Sequence, residues 1–482
     1  MKNHLSSVRR WRLVWLAVAL PAVLAAVLLG YGGDSEQFAA SARAQSSPLF
    51  GTLDTQKSTV KAELRAGISV AMFELNWASF EPKEGVFSAS YRATMRSYLK
   101  TFRAAGMRVT LGLGLQDPPS WVFSLPDSTY VNQDGDVSSE ADFVFSESVR
   151  QAAASYLTQV AADLPLSDFW AIRLTSGGDA EMLYPPGGTY WAFNKAALTG
   201  VGLPPTMTPN PFPNWLPGRL GLSAALINYW VNWYVGGLDD VTNWQMHVLS
   251  GLGFSGYYQL VTPGSGTRPD VLSAEEQSDL PDGTTGVGAV WNRYYAMLPD
   301  KTNVMAYISS VADGSGDDDS CQPADNSLPL TSIRMDSWSA TRWISRIAAA
   351  EGLLVAGENA GYRLPVSLDS RYTNTSSSGM MADAIRQAIS CKFQVFYWAH
   401  DINLWNGTIP FPLYASYIKA GLTDEARRHS TQHVMGLNNS KSSHYRSAML
   451  GLRRSCIAFA FGATRLLSSR RKATSSVAWW KR

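Results

Sequence analysis

The segments ISVAMFEL (68–75), SASYRATMRSYLKTFRAA (88–105) and RVTLGLGL (108–115) decide the fold of this chain. The first and third are short apolar runs, as expected of strands that are buried on both faces. The middle segment places its apolar residues at helical spacing. The order strand, helix, strand predicts a βαβ unit with two parallel strands.

The same alternation continues through the middle of the chain. We predict eight strands, each followed by a helix, over residues 48–53, 68–75, 108–115, 169–175, 256–261, 303–309, 353–357 and 393–398. Eight such units predict an α/β fold of the (β/α)8 TIM-barrel type, a single catalytic domain over residues 45–420. The alternative, a doubly wound open sheet, is expected to show a glycine-rich phosphate turn after its first strand, and residues 51–54 (GTLD) are not one.

Composition and charge exclude two classes of protein. Of the 482 residues, 45% are hydrophobic and 17% are charged, so the chain is not intrinsically disordered. The net charge of +2 is unevenly distributed: residues 1–44 carry +3 and residues 441–482 carry +10, which leaves −11 for the residues between them. A body this acidic is not expected to bind nucleic acid.

The N-terminus has the features of an export signal. An arginine-rich stretch at residues 9–12 precedes an apolar run at 13–30, and residues 42–44 (ARA) form a small-x-small cleavage site. Residues 1–44 are therefore predicted to be a signal peptide. Alternatively, residues 13–30 are an uncleaved membrane anchor. In either case we expect an extracellular or cell-surface protein.

The C-terminal residues 421–482 are rich in serine and arginine and carry no acid from 441 onward. We predict a poorly ordered tail outside the barrel. A segment that contacts a cell wall or membrane surface is the alternative.

The three cysteines are too few for a disulfide framework. Cys321 falls in the loop after the sixth strand, which should lie at the top of the barrel, and Cys391 closes a helix, which should place it at the bottom. A disulfide needs Cα atoms within about 7 Å. We therefore predict that these two cysteines are not bonded.

Candidate catalytic residues are sought after each strand, because active sites of such barrels lie at the C-terminal ends of the strands. Glu358 directly follows the apolar run 353–357, and Glu181 follows the fourth strand in a glycine-rich loop. Cleavage of a glycosidic bond uses two carboxyl groups, one to protonate the leaving oxygen and one to attack the sugar or activate water. Glu181 and Glu358 are predicted to be this pair, with Asp179 as a competitor for the role of Glu181.

Aromatic and polar side chains near the strand ends are the candidate binding residues. Sugars stack their C–H faces on aromatic rings, and their hydroxyls need polar partners. We predict that substrate contacts Trp77, Trp121, Asn359, Trp398, His400 and Asp401.

Three motifs carry a family resemblance: WASFEPKEGVF (77–87), AGMRVTLGLG (105–114) and PSW (119–121). They resemble the N-terminal barrel segment of clan-A glycoside hydrolases, most of all the β-galactosidase-like family 42 type. The resemblance is specific over residues 67–121 and looser through the eighth strand. It implies an acid/base after strand four and a nucleophile at the end of strand seven, which by position are Glu181 and Glu358, in a retaining enzyme. It also implies that Trp398 floors the sugar site.

One stretch departs from that family. Clan-A enzymes place Asn-Glu at the end of strand four, whereas here Ala180 precedes Glu181. The segment GGDAEMLYP (177–185) instead resembles the sequence around the acid of β-amylases, which are inverting barrels. Under that resemblance Glu358 would activate water and would not attack the sugar.

No cofactor or metal site is expected. The acidic loop 313–319 lacks the spacing and closing glutamate of an EF-hand, and His429 and His433 lack a third ligand. The sequence thus predicts an exported glycoside hydrolase that acts on an oligo- or polysaccharide. The alternative is a catalytically silent barrel that binds glycan at the cell surface. The sugar, the linkage and the oligomeric state are left open.

Overall fold

The computed structural model describes residues 47–264, 266–316, 320–361 and 366–427, without the side chains of residues 179 and 366–369. The predicted signal segment 1–44 and the tail beyond residue 427 lie outside the described residues. The same is true of His429, His433 and part of the acidic loop 313–319.

Eight parallel strands form a closed barrel, in which the first strand pairs with both the second and the eighth. The strands are β1 Leu49–Thr52, β2 Val70–Glu74, β3 Arg108–Gly112, β4 Ala171–Leu174, β5 Tyr257–Thr262, β6 Val304–Val311, β7 Leu354–Asn359 and β8 Val395–Trp398. The predicted (β/α)8 TIM barrel is confirmed, and every predicted strand overlaps an observed one.

Helices surround the barrel between the strands. They span Val60–Arg65, Trp77–Phe80, Ala89–Ala104, Glu147–Asp163, Lys195–Thr199, Ala224–Gly251, Pro269–Gln277, Trp291–Met297, Ala340–Glu351, Val366–Thr373, Met380–Ser390, Ile402–Trp405 and residues 411–427. The last of these continues past residue 420, where we had expected the barrel to end. The loop after β3 also contains an antiparallel hairpin of Thr129–Val131 and Val137–Ala141.

Serine side chains start several of these helices. Ser88, Ser146 and Ser339 each accept a hydrogen bond from the backbone N–H three residues later, which satisfies one of the unpaired donors of the first turn. Gly352 ends the helix Ala340–Glu351 with a φ of 74°, a conformation that glycine adopts without steric cost. These local signals set where each helix meets its strand.

The strands bury both faces, and alternate residues separate an inner from an outer core. Val70, Met305, Ala356 and Val395 pack with one another inside the barrel. Their sequence neighbours face outward and pack against the helices, as Phe396 and Val355 do. Because successive side chains point to opposite faces, this alternation decides which residues can reach the barrel mouth.

Cys321 and Cys391 form a disulfide, with Cα atoms 5.0 Å apart, so our prediction that they are unbonded is wrong. The loop after β6 does not stay above the barrel, because it packs along the helix Ala340–Glu351. Asp325 accepts two hydrogen bonds from Arg342, and Arg346 donates to the backbone oxygens of Asp325 and Leu328. The loop is long enough to descend the side of the barrel, and this path brings Cys321 to the C-terminal end of the helix before β8.

Among the described helices, none is both long and apolar enough to span a lipid bilayer. The same part of the chain contains no group of three or more His, Cys, Asp or Glu side chains placed to hold a metal ion.

Candidate active site

Four side chains form a polar layer inside the barrel, near the C-terminal ends of its strands: Glu74, Arg173, Tyr307 and Glu358. They come from β2, β4, β6 and β7, and the first three alternate with outward-facing apolar neighbours, whereas Glu358 lies between Gly357 and Asn359. Tyr397 of β8 pairs with Glu358 and also points inward; its hydroxyl lies 2.6 Å from that of Thr110 and accepts a hydrogen bond from Gln259 at 3.0 Å. The barrel interior is thus filled, and the charged layer is the base of the open end.

Glu358 is held by two neighbours in this layer. Its side chain is 12% exposed, the Tyr307 hydroxyl donates to Oε2 at 2.5 Å, and Nη2 of Arg173 lies 3.5 Å from the same oxygen. Burial raises the pKa of Glu358 above its ordinary value, and the Arg173 charge and the Tyr307 hydrogen bond offset only part of this rise. These two contacts fix the position of the carboxyl group and keep its pKa lower than that of a buried acid without partners.

Arg173 is buried between two carboxylates. Burial lowers its pKa, but Glu358, Tyr307 and Glu74 raise it by more, so the guanidinium stays charged. Its carbon centre also lies 4.9 Å from the centroid of the Tyr307 ring, within the range of a cation–π contact.

Glu181 is presented by a tightly bonded loop after β4. Its backbone oxygen accepts hydrogen bonds from Ser176 N and Thr175 Oγ1, both at 3.0 Å, and the next residue, Met182, donates to Val261 O of β5 at 2.8 Å. Ala180 precedes it with a φ of 59°, which is uncommon for a residue with a side chain. Asp179 lies in the same 3₁₀ turn, Gly178–Ala180.

The structure brings Glu181 and Glu358 to one side of the barrel mouth. The Ser309 hydroxyl of β6 donates to Glu181 Oε1, and Tyr307, two residues earlier on the same strand, donates to Glu358. Alternate residues of a strand share a face and lie roughly 7 Å apart. A β-bulge between Ile308 and Val311 interrupts the pairing of β6 with β7 here, a feature that often re-aims side chains beside active sites.

Three of the predicted binding residues are occupied with packing. Trp77 and Trp398 are fully buried outside the barrel wall, Trp77 stacked on Tyr156 and Trp398 between Tyr372 and Tyr414. The inward position at the end of β8 belongs to Tyr397, so Trp398 cannot floor the mouth in this structure. Asn359 is also buried, where its side-chain oxygen accepts from Ala399 N at 2.7 Å.

The other three predicted binding residues are distributed around the rim. Trp121 is half-buried, packs edge-on against Trp77 and donates to the backbone oxygen of Glu81. His400 is exposed and adopts a φ of 56°. Asp401 is buried, and its Oδ1 accepts from Asp54 N at 3.2 Å. His400 and part of Trp121 are therefore accessible to solvent, whereas Asp401 is buried and holds the backbone of Asp54 by a hydrogen bond.

Sequence reasoning missed Glu74, Arg173 and Tyr307. A charged residue inside a predicted strand is a usable signal, because a charge inside an apolar strand must be paired or functional. Glu74 stands in VAMFE and Arg173 in AIRL. Both lie inside runs that are otherwise apolar, whereas the predicted site residues all end or follow a strand.

The buried carboxyl of Asp401 gives a pH-dependent prediction. Burial and the charges of Asp54 and Glu63 raise its pKa to about 7, against about 4 for an unfolded aspartate. Between these values the folded protein holds a proton that the unfolded chain has released, so this group's contribution to stability falls as pH rises from 4 to 7. Asp401→Asn should therefore be more stable than the parent protein at pH 7.5, with a free energy of unfolding roughly 1–2 kcal/mol higher.

Urea unfolding at pH 4.5 and pH 7.5 measures this difference. The advantage of Asp401→Asn should shrink at the lower pH, where the parent carboxyl is protonated too. Asp134→Asn, at an exposed position, removes the same charge and serves as the control. An equal effect of Asp401→Asn at both pH values would contradict the prediction.

Comparison with known proteins bears on the fold. No protein-family model matches the chain, and no curated protein matches it. The catalytic domain of a β-amylase from Paenibacillus polymyxa superposes with a TM-score of 0.53 and 16% identity, over 78% of this chain and 98% of that one. A β-galactosidase from Marinomonas ef1 gives a TM-score of 0.41 and 13% identity, over 65% of this chain and 48% of that one. The β-amylase similarity supports the barrel fold, and at this identity it extends no further.

Proposed function

We propose that this protein is a glycoside hydrolase that cleaves O-glycosidic bonds of an oligo- or polysaccharide with Glu181 and Glu358. The observation that carries the proposal is that both carboxylates contact alternate inward residues of β6, Ser309 and Tyr307. Glycosidases need two carboxyl groups on either side of one anomeric carbon. That two residues 177 positions apart in sequence contact the same strand supports the proposal.

The surroundings of the two carboxylates suggest different roles. Glu358 is nearly buried, rigidly held and next to Arg173, which suits an ionised nucleophile that must not move. Glu181 is half-buried on a loop, where it accepts a hydrogen bond from a serine hydroxyl. It is therefore closer to solvent than Glu358. A general acid has to exchange its proton with water in each cycle, so Glu181 fits that role.

In the retaining reaction that we propose, Glu358 attacks the anomeric carbon while Glu181 protonates the departing glycosidic oxygen. The bond to the leaving sugar breaks and a glycosyl–Glu358 ester forms. Glu181, now ionised, takes a proton from water, whose oxygen attacks the anomeric carbon and releases Glu358. Two inversions return the original anomeric configuration.

Export is part of the proposal. The disulfide Cys321–Cys391 supports it, because disulfides persist mainly in oxidising compartments outside the cytoplasm. It agrees with the arginine-rich, apolar and small-residue pattern of residues 1–44. These two observations support the proposal that the protein works outside the cell or at its surface.

A substrate screen tests the proposed function. The secreted protein would be incubated with nitrophenyl glycosides and with plant and microbial polysaccharides, and the first anomer released would be identified by proton NMR. We expect hydrolysis with retained configuration. Release of the opposite anomer would indicate an inverting, β-amylase-like use of Glu358. Binding without any cleavage would favour the alternative, a silent glycan-binding barrel.

The outward position of Trp398 gives a prediction within this proposal. Trp398→Phe should lower the free energy of unfolding by roughly 1–2 kcal/mol, because it leaves a cavity among buried side chains. It should leave KM unchanged, since the ring does not reach the mouth. Urea unfolding and steady-state kinetics on the best substrate of the screen measure the two effects. A large rise in KM with unchanged stability would contradict this prediction and would indicate that Trp398 stacks on the sugar.

A further inference from the structure

Glu74 is a third acidic side chain in the barrel mouth, and the paired-carboxylate reaction does not use it. Its Oε1 accepts hydrogen bonds from Gly114 N at 3.2 Å and from Gln116 Nε2 at 3.3 Å. Its side chain keeps 32% of its surface exposed. One oxygen is therefore anchored to the loop after β3, while the group as a whole remains accessible from the mouth.

The fold makes specific room for this carboxylate. Glu74 pairs with Gly112 on β3, and a Cβ atom at position 112 would lie 2.0 Å from Glu74 Oε2. Any residue other than glycine would displace the carboxyl group from its position. The niche is thus built from backbone on one side and opens towards Arg173 on the other.

Arg173 has hydrogen-bonding capacity that the described residues leave unfilled. Its Nη1 lies 3.9 Å from Glu74 Oε2 and its Nη2 lies 3.5 Å from Glu358 Oε2, both longer than the 2.7–2.9 Å or so of a charge-assisted hydrogen bond. Its buried Nε has no hydrogen-bond partner among the described residues. Its Nη1 also donates to Met72 Sδ at 3.8 Å. Buried polar groups are usually bonded, so the unbonded Nε supports a ligand at this site.

An unsatisfied acceptor lies on the other side of Glu74. The buried Oε1 of Gln116 has no hydrogen-bond partner among the described residues, while its Nε2 is engaged with Glu74. Gln116 and Arg173 both lie next to Glu74, so donors on Arg173 and acceptors on Glu74 and Gln116 surround one carboxylate. A hydroxyl group both donates and accepts, so sugar hydroxyls match this combination.

The charge of the mouth limits the class of sugar. Among the described residues of the polar layer, two carboxylates, Glu74 and Glu358, outnumber the one cation, Arg173. A carboxylate on the sugar would be repelled by this excess, whereas a neutral hydroxyl would not.

We propose that Glu74 and Arg173 form a hydroxyl-binding pair of the site, and that the sugar unit bound there is neutral and not a uronic acid. The proposal rests on the proposed hydrolase function, and it assigns the substrate class of the same site. Glu74 acts by binding and orienting the sugar, with Gln116 holding the carboxylate in place.

Kinetics with a matched pair of substrates test the proposal. The pair is the neutral nitrophenyl glycoside that the full-length protein hydrolyses best and its counterpart oxidised at C6 to the uronic acid. We expect the parent protein to prefer the neutral substrate. Glu74→Gln should lower kcat/KM on the neutral substrate by roughly 10- to 100-fold, the effect of losing a hydrogen bond to a charged group. It should also reduce the preference for the neutral over the acidic substrate.

Two further variants separate charge from position. Glu74→Asp keeps the charge but withdraws it, so it should lose activity on the neutral substrate while still rejecting the uronic acid. Glu84→Gln removes one carboxylate from the exposed surface and should change neither measurement. A Glu74→Gln variant that behaves like Glu84→Gln, or a parent protein that prefers the uronic acid, would overturn the proposal.

Binding measurements distinguish this proposal from the hydrolase function. If no glycoside is cleaved, titration calorimetry with neutral methyl glycosides is run on the parent protein and on Glu74→Gln. Binding that depends on Glu74 would support the hydroxyl-binding pair while the hydrolase function fails. Cleavage that does not depend on Glu74 would leave the hydrolase standing and refute the pair. Neither cleavage nor binding would refute both.

Discussion

Glu358→Gln should abolish turnover of every glycoside, with kcat falling by roughly 10³-fold or more. Glutamine preserves the size of the side chain, and its amide can still lie between Tyr307 and Arg173. It cannot form the glycosyl ester, so the first step is lost whatever the leaving group. Glu358→Ala removes the whole carboxymethyl group, so in that variant added azide should partly restore turnover of a nitrophenyl glycoside. The small anion enters the vacated space and attacks the sugar, which gives a glycosyl azide of inverted configuration.

Glu181→Gln should fail in a different way, and this asymmetry tests the assignment of roles. A sugar leaving group needs protonation, so turnover of a natural substrate should fall by roughly 10²- to 10⁴-fold. A nitrophenolate leaving group does not need a proton, so the first step on the aryl glycoside should be nearly unaffected. Rapid-mixing measurement of nitrophenolate release separates the first step from the second.

Asp179 provides the decisive comparison, because it lies in the turn that precedes Glu181. Asp179→Asn should retain most activity if Glu181 is the acid. If it abolishes turnover of the natural substrate while Glu181→Gln retains it, Asp179 takes the role. If Glu358→Gln does not differ from Glu181→Gln, Glu181→Gln does not differ from Asp179→Asn, and glycan binding is retained, the silent glycan-binding barrel is favoured.

The sequence predicted the barrel well because strand and helix signals are local. Short apolar runs, capping serines such as Ser88 and Ser146, and terminal glycines such as Gly352 act within a few residues. Eight repeats of one pattern then leave few topologies to consider. The comparisons support the fold alone, so the specific assignment to family 42 stays a prediction.

The site was predicted less completely because a parallel strand is apolar on both faces. In VFYW, residues 395–398, hydrophobicity cannot tell which residues point inward, and the choice between Tyr397 and Trp398 depends on barrel closure. Glu358 was found because it ends its apolar run. Glu74 and Arg173 are each marked by a charge inside a predicted strand, but their proximity depends on barrel closure, because they lie about 100 positions apart in sequence.

The path of the loop after β6 could also not be predicted from the sequence. Asp325 and Arg342 are separated by 17 positions, and their pairing lays this loop along the barrel side. A rule that places every loop after a strand at the top holds only for short loops. The disulfide follows from that descent.

Cys321→Ser with Cys391→Ser should lower the free energy of unfolding by roughly 2–4 kcal/mol. The bond joins residues 70 positions apart, and the enclosed segment contains β7 and therefore Glu358. In the unfolded chain the bond removes much of the freedom of this segment, so its loss favours the unfolded state. Denaturant unfolding of the parent and the double variant, under oxidising conditions, measures the difference.

Reductant and the third cysteine separate this effect from other causes. Dithiothreitol should destabilise the parent protein to the level of the double variant and should leave the double variant unchanged. Cys456→Ser retains the Cys321–Cys391 pair, so it should match the parent in both buffers. Equal unfolding of parent and double variant without reductant would mean that the bond does not form or adds no stability, and mass spectrometry after alkylation would decide which. A confirmed difference would mean that an oxidising compartment stabilises the folded chain, which agrees with the proposed export.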